Sequence, residues 1–156
     1  MTKTISIAPL SKTLTVKAAQ AHAFDVFTNG MDRWWPPGHG IGATPVKHSI
    51  IEPRRGGRWY TVHEDGAEIV VGHMKVWDAP HRIVFSWEIN AQWKPDQSVA
   101  SEVEIRFIAE GPKTTRVELE HRNFEALGQE GGEKMRKDVG GGWPTLLELF
   151  KKEAER

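Results

Sequence analysis

The C-terminal segment, residues 131–156, constrains the fold more than any other part of the chain. From Glu133 onward its apolar residues recur at spacings of three and four, the pattern of one face of an α-helix. They are Met135, Val139, Trp143, Leu146, Leu147, Phe150 and Ala154. Charged residues occupy the opposite face, so we expect this helix to lie half-buried on a flat apolar surface.

Three consecutive glycines, Gly140 to Gly142, interrupt the middle of the predicted helix, and Pro144 follows them. Each glycine costs about 1 kcal/mol relative to alanine in a helix, and an internal proline removes a backbone donor. Two interpretations stay open. The segment is a break between two ordinary helices, since proline also suits a first helical turn. Alternatively, the bare backbone lets another surface or a bound molecule come close.

Short runs of alternating apolar and polar residues, separated by turns, precede this segment and are typical of antiparallel strands. The predicted strands cover residues 11–18, 46–52, 58–64, 67–77, 82–91, 98–109 and 114–122. Helical spacing is found at 19–29, with one further short turn at 31–35. We therefore predict an α+β fold: a strand, two short helices, a meander of strands, and a long helix that covers the dry face of the sheet.

Composition excludes several functional classes. Lysine plus arginine and aspartate plus glutamate both number 21, so a nucleic-acid partner is not expected. Cysteine is absent, which excludes disulfides and thiol catalysis. Residues 1–10 hold no apolar run of the signal-peptide kind, and no stretch approaches the ~20 apolar residues of a membrane span. We expect a cytoplasmic protein without a membrane span.

The predicted inner face of the sheet carries both aromatic and titratable side chains. The dipeptide Asp65–Gly66 signals a two-residue hairpin, which would place His63 opposite Glu68 and Trp59 opposite Gly72. The pair of His63 and Glu68 is either a surface charge pair near the turn or a functional pair in which the carboxylate orients the imidazole. His121 extends an apolar strand face and is either a core residue or a ligand contact.

Strong local motifs for catalysis or cofactor binding are absent from the sequence. It has no G-x-S-x-G nucleophile elbow, no phosphate-binding G-x-x-x-x-G-K, and no helical pair of histidines with metal spacing. The glycine triplet does not follow a strand of a βαβ unit, so it is not a dinucleotide fingerprint. We predict no cofactor and no metal site.

Several weak motifs in a fixed order resemble a known family. They are Trp34–Trp35, the sequence Gly-Gly-Arg-Trp at 56–59, Asp65–Gly66, Ala79–Pro80 before the strand 82–87, residues 115–121, and Gly142–Trp143 with the leucines that follow. The chain resembles the helix-grip, START-like fold of the SRPBCC superfamily, and within it the bacterial branch related to the activator of the heat-shock ATPase chaperone. The match runs from about residue 12 to residue 154.

The resemblance implies one START-like domain over residues 1–156, with an ordered core at about 12–154. A curved sheet of six to seven strands would wrap around the long helix and leave a cavity between them. Relatives in this superfamily carry lipids or hormones, cyclise polyketides or stimulate a chaperone ATPase. The resemblance therefore also implies a chaperone or another protein as a partner, and with it a role in the stress response.

Our leading hypothesis is that the chain binds a hydrophobic, aromatic or lipid-like small molecule between the sheet and the last helix. The candidate ligand-binding residues are Trp35, Trp59, Thr61, His63, Met74, Phe85, Trp87, Phe107, His121 and Trp143. One alternative is a cyclase or dehydratase that uses His121, or His63 with Glu68, as general acid/base. Another is a co-chaperone-like module that presents Trp34–Trp35 on its surface. Both a monomer and a homodimer are compatible with the sequence.

Overall fold

Seven strands form one antiparallel sheet in the computed structural model, which describes residues 6–156. The strands are β1 (Leu10–Val16), β2 (Val46–Ile51), β3 (Arg58–His63), β4 (Glu68–Asp78), β5 (Arg82–Trp87), β6 (Ser101–Gly111) and β7 (Thr114–Arg122). Their order across the sheet is β1-β7-β6-β5-β4-β3-β2, so only β1 pairs with a strand distant in sequence. The predicted antiparallel meander is confirmed. Residues 1–5, half of the stretch in which the sequence shows no signal-peptide run, lie outside the described residues.

Residues 6–156 also form three α-helices: α1 (Gln20–Phe27), α2 (Met31–Trp34) and α3 (Gln129–Ala154). The helix α3 runs without interruption through the glycine triplet and Pro144, so the interpretation of two separate helices is wrong. Its apolar stripe packs onto the concave side of the curled sheet, and this arrangement confirms the predicted helix-grip fold. Among the described residues, no helix combines the length and apolarity needed to cross a membrane.

The core lies between α3 and the sheet because both present continuous apolar faces there. Every second residue of β5 is buried on this side, and the same alternation continues on β6 and β7. The most fully buried large residues include Trp59, Phe85, Phe107, Trp143 and Phe150. Burying such side chains contributes roughly 1.5–3 kcal/mol each, so this layer supplies much of the driving force for folding.

The opposite face of the sheet carries ion pairs between neighbouring strands. Arg122 on β7 contacts Glu104 and Glu102 on β6, with nitrogen–oxygen distances of 2.6 and 2.7 Å. Arg82 on β5 reaches Glu104 from the other side at 2.9 Å. These cross-strand pairs keep the outer face polar and leave the apolar alternates of each strand to face α3.

The hairpin between β3 and β4 differs from the prediction in its register. The backbone N–H of His63 donates to the carbonyl of Ala67 at 2.9 Å, and Gly66 adopts a φ of +88°. The loop therefore has three residues rather than two, and Val62, not His63, pairs with Glu68. A three-residue loop that ends on a left-handed glycine is a common alternative to the two-residue turn.

The predicted pairing of His63 with Glu68 is therefore wrong. His63 is buried, whereas Glu68 is exposed and lies 3.9 Å from Arg58. A bulge between Trp59 and Tyr60 then shifts the register back by one residue, so Trp59 does lie opposite Gly72 as predicted. The indole of Trp59 thus keeps its place on the inner face.

Two connections contain structure that the sequence pattern did not predict. Strand β5 ends at Trp87 rather than Ala91, because the following loop folds back and forms an isolated bridge between Ile89 and Pro95. A 3-10 turn at Gln97–Val99 occupies the predicted start of β6. Another 3-10 turn, Phe124–Leu127, leads directly into α3.

Candidate ligand-binding cavity

A cavity of about 190 Å³ lies between α3 and the strands β3, β4 and β5. Its lining comprises Trp35, Gly38, His39, Gly40, Ile41, Trp59, Thr61, Val71, Trp87, Ile89, Trp93, Asp138, Val139, Gly142, Trp143 and Leu146. The floor is buried and predominantly apolar, whereas Gly38, His39 and Gly40 at the rim are exposed. The cavity therefore has an apolar interior with an opening toward the loop after α2.

Five of the seven tryptophans line this cavity: Trp35, Trp59, Trp87, Trp93 and Trp143. Their rings form a continuous series of contacts centred on Trp87. The Trp87 ring centroid lies 5.7 Å from that of Trp59 and 5.6 Å from that of Trp143. Trp35 meets Trp59 edge to face at 5.1 Å. Edge-to-face and tilted arrangements are favourable between aromatic rings, and they hold the walls in fixed orientations.

The glycine triplet of α3 has one member on the cavity, Gly142. A side-chain carbon at Gly142 would meet no atom within 4 Å beyond its chain neighbours and the nearby backbone of its own helix, so glycine leaves free space here. Gly140 instead faces Leu10, at 3.6 Å from where a side-chain carbon would lie, and Gly141 is exposed. The bare backbone at position 142 therefore adds space to the cavity, whereas the other two glycines do not line it.

The adjacent tryptophans Trp34 and Trp35 point in different directions, as two neighbours on a short helix must. Trp34 packs against Phe27 and Phe150 in the core, and its indole N–H donates to the carbonyl of Val26 at 2.9 Å. Trp35 forms a cavity wall. Its indole N–H donates to the carbonyl of His39 at 2.8 Å, which ties the rim loop to the wall.

Trp93 covers the opposite side of the rim, with its backbone in the left-handed region at a φ of 58°. Its indole N–H donates to Asp138 on α3 at 3.0 Å, and the Lys134 ammonium lies 2.7 Å from the same carboxylate. The hydrogen bond from Lys134, aided by that from Trp93, holds the pKa of Asp138 below its usual range. A non-glycine residue in this conformation is retained only where its surroundings hold it, so the contact with α3 fixes the loop.

His63 lies under the rim loop beside the cavity and does not line it. The Nδ1 atom of its imidazole is 2.6 Å from the carbonyl oxygen of Thr44, and Nε2 is 2.9 Å from the hydroxyl oxygen of Thr61. Thr61 does line the cavity. His63 therefore contacts the cavity through the threonine side chain.

His121 lies behind Trp143 and is fully buried. The Trp143 indole N–H donates to its Nδ1 at 3.2 Å, so Nε2 carries the proton and donates to the Ser101 hydroxyl at 2.8 Å. The ring stacks on Phe124 at 4.6 Å. Burial lowers the pKa of His121 to about 3, so the imidazole is neutral and holds the indole of Trp143 in place.

The ten candidate residues fall into two sets. Trp35, Trp59, Thr61, Trp87 and Trp143 line the cavity. His63, Met74, Phe85, Phe107 and His121 are buried in the surrounding core without lining it. Phe107 packs against Phe24 and Phe27 near α1, while Phe85 supports Trp59 from below at 5.2 Å.

Several lining residues were not predicted from the sequence. Val71 lies in the bulged part of β4, so strict alternation from Met74 places Val70 on the inner face instead. Trp93 and Asp138 meet through a loop conformation with no local sequence signal other than a tryptophan in a polar loop. The described residues contain no group of three or more histidine, aspartate or glutamate side chains arranged to hold a metal ion.

Comparison with known proteins gives a consistent family and fold. The family model for activator of Hsp90 ATPase homolog 1-like proteins matches residues 17–155. The anthrahydroquino-γ-pyrone synthase Txn09 is 36% identical, covers 94% of this chain and 96% of its own, and superposes with a TM-score of 0.66. The self-sacrificing resistance protein CalC of Micromonospora echinospora is 32% identical, with coverages of 94% and 93% and a TM-score of 0.70.

An Hsp90 activator from Plasmodium falciparum shares the fold at a TM-score of 0.54 and 20% identity, over 74% of this chain and 72% of its own. At that identity the likeness concerns the fold alone. No curated protein matches the chain at a significant level.

Proposed function

The chain belongs to the family of activator of Hsp90 ATPase homolog 1-like proteins, and we propose that it binds a flat aromatic small molecule in the tryptophan-lined cavity. The observation that carries this proposal is the cavity itself, with five indole rings around about 190 Å³ of space. Apolar cavities of about 150 Å³ in proteins hold a benzene ring, so the volume is sufficient for a ring system. The floor, which is apolar and buried, favours an uncharged ligand.

The shape of the walls favours fused rings over a flexible chain. Trp59, Trp87 and Trp143 present large rigid surfaces whose orientations are fixed by mutual contacts. A planar fused-ring ligand has no internal bond rotations to lose on such surfaces, whereas an acyl chain would lose the entropy of each bond that it orders. The synthase at 36% identity is named for an aromatic compound, which supports the same class of ligand for this chain.

One buried polar group supports a ligand that carries an oxygen atom. Trp87 is 5% exposed, and its indole N–H has no acceptor among residues 6–156. A buried donor left unpaired costs about 1–3 kcal/mol. We infer that an aromatic ligand with an oxygen atom that approaches this N–H suits the cavity better than a plain hydrocarbon.

No specific observation favours either of the two alternative functions, the enzyme or the co-chaperone-like module. His121 does not line the cavity, both its ring nitrogens are bonded within the core, and burial lowers its pKa to about 3, which makes its neutral imidazole a weak general base. Trp34 and Trp35 are 5% and 9% exposed, so they form no surface patch for a partner protein. The cytoplasmic location, the role in the stress response and the choice between monomer and homodimer stay predictions.

A thermal-shift series distinguishes aromatic from lipid ligands. We expect anthraquinone and 1-tetralone to raise the melting temperature, because a ligand that binds only the folded state stabilises it by RT ln(1 + [L]/Kd). At 100 times Kd this is about 2.7 kcal/mol, or roughly 5–10 °C for a chain of this length. 1-Decanol, an uncharged flexible chain of comparable length, should give no shift. Stabilisation by 1-decanol alone, or by none of the three, would overturn the proposal.

A further inference from the structure

The hydrogen bonds of His63 determine its tautomer. The Thr44 carbonyl oxygen can only accept, so the Nδ1 atom that lies 2.6 Å from it must carry the proton. No carboxylate lies within 4 Å of the His63 ring among the described residues. In the tautomer that carries its one ring proton on Nδ1, the Nε2 atom has a free lone pair. Its Nε2 atom is then an acceptor.

Thr61 must therefore donate its hydroxyl proton to His63, across 2.9 Å. This is the only hydrogen bond of the Thr61 side chain to residues 6–156. With its proton committed to the imidazole, the oxygen retains lone pairs that can only accept. Thr61 is one of the few polar residues that line the cavity, so a ligand donor that reaches its oxygen finds a hydrogen-bond acceptor there.

The packing of the rim loop holds the His63 ring in the orientation that accepts the hydrogen bond from Thr61. His63 is 1% exposed and lies directly beneath Gly40 and Gly42. A side-chain carbon at Gly42 would be 2.6 Å from Nδ1, and one at Gly40 would be 2.8 Å from Cε1. Only glycine allows the loop this close to the imidazole. Turning the ring over would put a carbon in place of Nδ1 beside the Thr44 carbonyl and break that hydrogen bond.

We propose that Thr61 selects aromatic ligands that bear a hydroxyl group, with the ligand O–H donating to the threonine oxygen. This inference rests on the proposed binding of aromatic molecules, and it specifies that the ligand carries one hydrogen-bond donor. The ligand class is a phenol or an enol attached to a planar ring system. His63 acts as a positioning residue, because it orients the threonine proton without touching the ligand.

The test compares 2-naphthol with 2-methylnaphthalene, which has nearly the same shape but no donor. Dissociation constants are measured at pH 8 by tryptophan fluorescence for the wild type, Thr61→Val and Thr61→Ser. We expect the wild type to prefer 2-naphthol about tenfold, as one neutral hydrogen bond provides. Thr61→Val should lower this preference below twofold, because valine keeps the shape and removes the acceptor. Thr61→Ser should retain the preference.

A second measurement does not depend on ligand binding. Nitrogen-15 NMR of the His63 imidazole at pH 8 should show a protonated Nδ1 and an unprotonated Nε2. The opposite tautomer would overturn the inference. Equal affinity for the two naphthalenes, or a preference that survives in Thr61→Val, would also overturn it while leaving aromatic binding intact. Failure of both compounds to bind would overturn the proposed function and this inference together.

Discussion

Replacing Gly142 by leucine should lower the affinity for aromatic ligands at least 100-fold and leave the protein slightly more stable. Position 142 faces the cavity, and a leucine side chain there would enter the space of about 190 Å³ that a ring would occupy. The same substitution replaces a helical glycine by a good helix former, which contributes about 0.8 kcal/mol. Loss of binding together with a gain in stability would show that the leucine fills the cavity and leaves the fold intact.

Gly141→Leu provides the matched control. Gly141 lies on the exposed side of the same turn, so the variant gains the same helix propensity without entering the cavity. We expect its affinity to stay within twofold of the wild type and its free energy of unfolding to rise equally. Isothermal titration with 1-tetralone and urea unfolding measure both quantities. Equal binding by Gly142→Leu and Gly141→Leu would show that ligands bind elsewhere.

The protein should lose stability in mild acid because of His121. Its pKa is about 3 in the folded state and close to 6.5 when the chain is unfolded. Between these values only the unfolded chain binds the proton, so the free energy of unfolding falls as the pH decreases from 6.5 toward 3. The slope approaches about 1.4 kcal/mol per pH unit, which gives roughly 2 kcal/mol between pH 7 and pH 5.

A variant isolates this contribution from that of the carboxylates. Salt-bridged acids such as Glu52, whose pKa the hydrogen bonds from Arg58 lower to about 2, act in the same direction but only near and below pH 4.5. His121→Gln keeps an acceptor for Trp143 and removes the titrating ring. Between pH 7 and pH 5 the free energy of unfolding of this variant, measured in urea, should fall by about 2 kcal/mol less than that of the wild type. His22→Gln, at an exposed position, should behave as the wild type does. Parallel pH curves for His121→Gln and wild type would contradict the neutral, buried state of His121.

The sequence predicted the fold well because the signals that specify it are periodic and local. Alternation in β5 and β7 and the spacing from Met135 to Ala154 determine which face of each element is buried. Once those faces are known, an antiparallel sheet covered by the last helix is the arrangement that buries them all. The predicted pairing of Trp59 with Gly72 is also found. It holds because the bulge between Trp59 and Tyr60 cancels the one-residue shift that the longer hairpin loop introduces.

The cavity was predicted less completely because its lining depends on irregular backbone. The bulge that turns Val71 inward and the left-handed conformation of Trp93 leave no periodic trace in the sequence. The roles of His63 and His121 stayed open in the sequence for a different reason. His63 and His121 stand on inward-facing strand positions, but only the positions of Thr44 and Ser101 show that their ring nitrogens are already bonded. Neighbours that are distant in sequence decide whether an inward polar group reaches a ligand.

The seven indole N–H resonances provide the most direct measurement of the central claim, that a ring system binds among the tryptophans beneath α3. In a nitrogen-15 NMR titration with 2-naphthol, the signals of Trp35, Trp59, Trp87, Trp93 and Trp143 should shift together with one dissociation constant. Those of Trp34 and Trp77, which do not line the cavity, should stay in place. If Trp34 and Trp77 move while the five lining residues do not, or if no indole signal moves at saturating ligand, the cavity is not a binding site for aromatic molecules.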